Sequence, residues 1–174
     1  LIKEKFGKWK SGEIPPPIDI TEAPFNGREK ISRRMTPIKI GIMGFRTVPA
    51  GHEDEGTLSL CNQLLTNESK TGLIDQLEVE RKLMSAGAFN MDFVDLGANN
   101  FYFLPKLFFQ SLTKAEKLVL GQIEKLKSGD FDDEFFDAVK LTMTREHEEN
   151  MESMEGRLFT LMDSYVKGKT WEEV

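Results

Sequence analysis

Apolar positions change their spacing several times along the chain, and each change predicts an element. Ile2, Phe6 and Trp9 share one helical face and Gly7 follows, so residues 1–10 read as the end of a helix. Pro15, Pro16, Pro17, Pro24 and Gly27 make residues 11–27 an extended, proline-rich linker, with Ile14, Ile18 and Ile20 available to pack on the domain. Ile31 through Phe45 is strand-like: Ile38, Ile40 and Ile42 alternate, and Pro37 marks an edge or a bulge. Val48-Pro49-Ala50-Gly51 ends that strand. Glu53, Asp54 and Glu55 then suit the first turn of a helix, whose dipole favours acids, and Leu58, Cys61, Leu64 and Leu65 form its apolar stripe.

A shorter helix opens at Thr71-Gly72, with Leu73, Ile74, Leu77 and Met84 as its apolar positions. Residues 88–96 and 101–109 read as two strands joined by Gly97-Ala98-Asn99-Asn100, which is hairpin turn chemistry. Thr113 and Glu116 form a capping box ahead of Ala115, Leu118, Val119, Ile123 and Leu126 at helical spacing. Ser128-Gly129-Asp130 stops that helix. Phe135, Phe136, Val139 and Met143 carry the next stripe, which Met151, Met154, Leu158, Leu161, Met162 and Tyr165 extend. Thr170 and Glu173 predict one more helix start, so both ends read as cuts through helices of a longer chain. Strand, two helices, hairpin and helices in that order make an α+β domain over residues 28–174: a two-layer sandwich, largely antiparallel, with helices on one face of the sheet.

Composition narrows the function. The chain has 174 residues, 30% of them charged, with a net charge of −6. An acidic surface is not drawn to nucleic acid. The basic residues Arg28, Lys30, Arg33 and Arg34 read as a solvated strand edge, because no aromatic residues are interleaved with them. No apolar run is long enough for a membrane span, and no signal-peptide pattern opens the chain. The single cysteine, Cys61, sits in a helical apolar stripe and reads as a small core residue rather than a nucleophile.

No catalytic constellation is visible. The two histidines, His52 and His147, are far apart, and neither H-E-x-x-H nor H-x-x-E-H occurs. His147, within Arg145-Glu146-His147-Glu148-Glu149, reads as part of a solvated helix face, and His52 as a residue near a helix N-terminus. Asp130, Asp132, Asp133 and Glu134 lack EF-hand spacing and suit a helix start without metal. Phe101-Tyr102-Phe103 and Phe108-Phe109 read as strand core. The expectation is no catalytic residue, no metal ligand and no cofactor in this chain.

Several stretches together resemble the non-catalytic second domain of the insulinase-like (pitrilysin, M16) zinc peptidases. These are Ile2 through Trp9 with the proline-rich linker, Ile42-Met43-Gly44-Phe45-Arg46-Thr47-Val48-Pro49, and His52-Glu53-Asp54 leading to Asn62-Gln63-Leu64-Leu65-Thr66-Asn67. Gly72 through Leu77, Ser128 through Asp133 and Ala138-Val139-Lys140 complete the series. The resemblance implies the LuxS/mitochondrial-processing-peptidase-like metallohydrolase fold. It implies zinc and H-x-x-E-H in another domain of the parent protein, sister domains of the same polypeptide as partners, and a chamber that receives peptides or unfolded polypeptides. By that alignment, a substrate-holding Arg and Tyr of the family's other half are replaced by Glu78 and Ser85, with Arg81 close by. The piece therefore resembles the structural domain of the N-terminal half. Ile38, Ile40, Ile42 and Phe45, or the hairpin, are the expected chamber wall. A bacterial periplasm or cell envelope is the compartment such a protein would suit. The alternative is a domain of a catalytically inactive scaffold or assembly protein of the same family, which only the presence of H-x-x-E-H elsewhere in the polypeptide would separate.

Overall fold

The computed structural model describes residues 1–16, 25, 27–34 and 37–170. It divides into two compact units, Leu1–Met35 and Thr36–Val174. In the first, α1 (Ile2–Phe6) ends at Gly7, and Phe6 meets Trp9 edge to face at 5.0 Å. Residues 11–16 carry no helix or strand, in keeping with their prolines. Pro17, Ile18, Ile20 and Pro24 of the expected linker lie outside the described residues, as does Glu173 of the expected C-terminal capping box.

The second unit is α+β. A three-stranded antiparallel sheet has the order β1-β3-β2, with β1 Gly41–Thr47, β2 Ser85–Asp92 and β3 Gly97–Leu104. Among the described residues five helices accompany it: α2 (Glu55–Leu65), α3 (Asp75–Val79), α4 (Leu112–Ser128), α5 (Asp133–Glu152) and α6 (Met154–Val166). In β3 the odd positions are buried and the even ones half-exposed, the period-two signature of a sheet covered on one face. Phe101 and Phe103 on that covered face join Leu65 of α2, Ile74 and Leu77 around α3, Ala86 of β2, and Ala115 and Val119 of α4 in the core.

The strand boundaries differ from the expectation: β2 starts earlier, at Ser85, and the strand expected over 101–109 ends at Leu104, so Phe108 and Phe109 are not strand core but exposed in the loop before α4. The first strand begins at Gly41 rather than near Ile31: Gly41 pairs with Phe103, and β3 ends one residue later at Leu104, before Pro105, so it offers residues 31–39 no partner. The hairpin turn is Phe93–Leu96, closed by Phe93 N donating to the Leu96 carbonyl, and Gly97 through Asn100 belong to β3 instead. Gly97 is in the strand for a packing reason, since a Cβ there would lie 2.2 Å from the Val48 carbonyl oxygen. Asn99 is there because it is buried and its amide donates to Asn62 of α2.

Helix ends follow local chemistry. The expected cap at Thr113 is displaced to Ser111, whose Oγ accepts from the Lys114 backbone N–H. Gly129 ends α4 in the left-handed region at φ 69°, and Asp132 caps α5. The single long stripe expected beyond Phe135 is interrupted: Ser153 is extended, caps the next helix at Gly156 N, and separates α5 from α6.

Asp75 organises the connection before α3. Its Oδ2 accepts from Asn67 N at 2.9 Å and from Gly72 N at 3.2 Å, and Lys70 Nζ lies 3.6 Å from Oδ1. A carboxylate with 1% of its surface exposed is tolerable because backbone donors and a cation surround it.

Candidate functional site

The uncovered face of the sheet and the corner between α3 and β2 hold the residues of interest. Register pairs Ile42 with Tyr102 and Tyr102 with Gly87, so these three share the face turned away from the helices. The Tyr102 ring lies across Gly87, where any Cβ would come within 2.7 Å of it. Phe89 and Met91 of β2 extend the same face and are exposed. Its middle is therefore apolar and aromatic.

The four positions expected to form a wall are divided by the fold. Ile38 and Ile40 precede β1 and are exposed. Ile42 lies on the open face and is 64% exposed. Phe45 lies opposite Asn99 on the helix-covered face and meets Phe101 edge to face at 5.8 Å. Three residues of separation in a strand put Ile42 and Phe45 on opposite sides. The residues that accompany Ile42 are Tyr102, Phe89 and Met91. Tyr102 read as strand core alongside Phe101 and Phe103, and only the even-odd alternation of β3 could have separated it from them.

Glu78 and Ser85 are brought together: Ser85 Oγ donates to Glu78 Oε2 at 3.4 Å, linking α3 to the first residue of β2. Between them the chain reverses at Arg81, a left-handed residue with φ 55° whose N–H donates to the Glu78 carbonyl. Lys82 N and Leu83 N both donate to Leu77 O, closing the turn. The corner is thus built from its own hydrogen bonds.

The metal donors do not assemble. Among the described residues, no group of three or more His, Cys, Asp and Glu side chains is placed to hold an ion. His52 lies in the loop before α2, where its Nδ1 accepts from Asp54 N, with the Asp54 carboxylate 3.6 Å away. His147 is exposed on α5. These residues do not fit a zinc site of the kind a hydrolase needs, which takes three protein ligands and an open position. Cys61 is half-buried in α2, and that burial pushes its thiol up, away from the reactive thiolate form.

A groove of about 200 Å³ between the loop after α2 and α5 is lined by Asn67, Thr71, Phe135 and Glu146 among others. Asn67 and Thr71 there bond to each other. No helix among the described residues is long and apolar enough to cross a membrane.

No protein of curated function matches the chain in sequence. Solved structures share the fold, three of them as follows. A protease from Helicobacter pylori superposes with a TM-score of 0.65 at 21% identity, over 74% of this chain and 31% of that one. The inactive peptidase domain of a candidate zinc protease from Bordetella parapertussis gives 0.62 at 20% identity, over 75% of this chain and 70% of that one. A candidate zinc protease from Bordetella pertussis Tohama I gives 0.61 at 18%, with the same coverages of 75% and 70%. This chain thus spans less than a third of the Helicobacter protease. The family model described as the Peptidase M16 inactive domain matches residues 1–143, most of the chain, and this chain belongs to that family.

Proposed function

We propose that this chain is a non-catalytic, chamber-forming domain of a zinc endopeptidase that takes peptides or unfolded polypeptides. In this reading zinc and the hydrolytic residues belong to a sister domain of the same polypeptide. This domain contributes packing surface and one wall. The observation that carries the proposal is the family match, together with donors that, among the described residues, are not gathered around any metal position. The open sheet face supports the wall: Ile42, Tyr102, Phe89 and Met91 present an apolar surface suited to extended peptide. Among the described residues β1 and β2 are the edge strands of the sheet, the kind of position at which an extended peptide can add as a further strand. Glu78 and Ser85 bond to each other at the position where a substrate clamp is expected, which favours the structural domain of the N-terminal half.

The test is a peptidase assay on the homogeneous chain with added zinc and an internally quenched unfolded peptide. No hydrolysis above buffer is expected. Zinc-dependent cleavage that co-purifies with the chain would falsify the proposal.

A further inference from the structure

Two surfaces of the second unit remain unabsorbed by the peptidase reading, and their chemistries match. The first is the loop between β3 and α4. Phe108 is 84% and Phe109 99% exposed, and Leu107 beside them is also exposed. The loop is held in place: Lys106 N donates to Gln110 Oε1 at 2.7 Å, and Gln110 Nε2 donates to the Lys82 carbonyl at 3.0 Å. A concavity of about 500 Å³ lies here, with Lys82, Lys106 and Lys114 around it and no acid in its lining. Lys82 is paired with Glu80 at 2.5 Å, so Lys106 and Lys114 carry the positive charge beside this apolar surface, a local exception on a chain of net charge −6.

The second surface is α6, whose amphipathicity is turned outward. Gly156, Thr160 and Ser164, at helical spacing, are its less exposed positions. The hydroxyls of Thr160 and Ser164 are satisfied within the helix by the carbonyls four residues back. Met154, Leu158, Leu161, Met162 and Tyr165 form the opposite stripe and are exposed. Glu148, Glu149 and Glu152 at the end of α5 and Glu155 at the start of α6 are exposed acids leading into that stripe. Apolar stripe with acids and apolar loop with lysines are complementary in both respects.

We propose that the chain self-associates head to tail, with the α6 stripe of one copy seated on the Leu107-Phe108-Phe109 loop of a second. The occupant follows from charge: net negative charge makes copies repel in most orientations, and the lysines select the one that brings acids to them. The contact joins two different surfaces, so successive copies extend the assembly or close it into a ring. This does not depend on whether the parent protein is a peptidase.

Sedimentation velocity on the whole chain tests it. At about 50 mM salt, where the screening length exceeds 10 Å, the weight-average mass should rise above the monomer's 19.9 kDa with concentration. Raising the salt about tenfold, or making F108S/F109S, should weaken association by about tenfold or more. Both phenylalanines are exposed, so thermal unfolding should not change. K106E/K114E alone and E152K/E155K alone should each be monomeric, while an equimolar mixture of the two associates through the surfaces left intact in each. A wild-type chain that stays monomeric at low salt overturns the proposal. So does association that survives the charge reversals.

Discussion

Helices α4 and α6 both carry apolar side chains at helical spacing, and the fold uses them in opposite ways. In α4, Ala115 and Val119 are fully buried, Leu118, Ile123 and Leu126 pack against the core, and lysines occupy the outer face. In α6, the exposed positions are Met154, Leu158, Leu161, Met162 and Tyr165, while small residues face inward. What holds α6 in place is partly polar. Lys167, one residue beyond its end, bonds to Glu55 at the start of α2 and to Asp163 one turn back, and Glu55 in turn accepts from Gly51 N. A stripe reports that a helix has two faces. Whether the apolar one is covered depends on what the chain places next to it.

The sharpest way to break this contrast is to cut the buried side. Leu77 of α3 has no exposed surface. Leu77→Ala should cost about 2–5 kcal/mol in chemical denaturation, from lost transfer energy and the cavity left behind. A loss under about 1 kcal/mol would mean that the core around α3 and α4 is far looser than its burial indicates.

The tether of α6 should matter less and should depend on pH. Burial works to lower the Lys167 pKa, but hydrogen bonds to Asp163 and Glu55 outweigh it and hold the pKa above the ordinary lysine value. A raised folded pKa means the tether contributes in full below the unfolded lysine's value of about 10.4 and is lost as pH climbs through the folded one. Lys167→Met should cost about 0.5–1 kcal/mol near neutrality. The Tm difference between wild type and variant should close in strongly alkaline buffer. A gap that persists unchanged there would assign the effect to packing of the lysine stem.

The smallest effect belongs to the outward stripe. Leu158→Ser should change the stability of dilute protein by no more than about 0.5 kcal/mol, because the side chain is already in water. A loss like that of Leu77→Ala would show that α6 is covered within the monomer.

Much of the fold was legible in the sequence. The stop at Ser128-Gly129-Asp130 could be read because a left-handed glycine after a helix has one common use. The stripes of α2 and α4 could be read because 3.6-residue spacing is rare by chance over such lengths. Gly97 and Asn99 misled because glycine and asparagine suit a turn, but also suit close backbone approach and buried amide pairing. Nothing local separates those uses. Met154 through Tyr165 misled for a related reason, since spacing cannot say which face meets the core. Of the candidate wall, Ile42 could be placed by alternation once β1 was located. Tyr102, Phe89 and Met91 needed the register between strands, which comes from contacts far apart in the chain.

The position of β3 between its two neighbours sets a clock on the molecule's opening. Its amides and carbonyls face a strand on either side, whereas among the described residues β1 and β2 are the edge strands. Deuterium should enter those edge strands through small local fluctuations and reach the middle strand last, through the rare event that separates all three. The slowest-exchanging amides of Phe101 through Phe103 then measure how often the whole sheet comes apart.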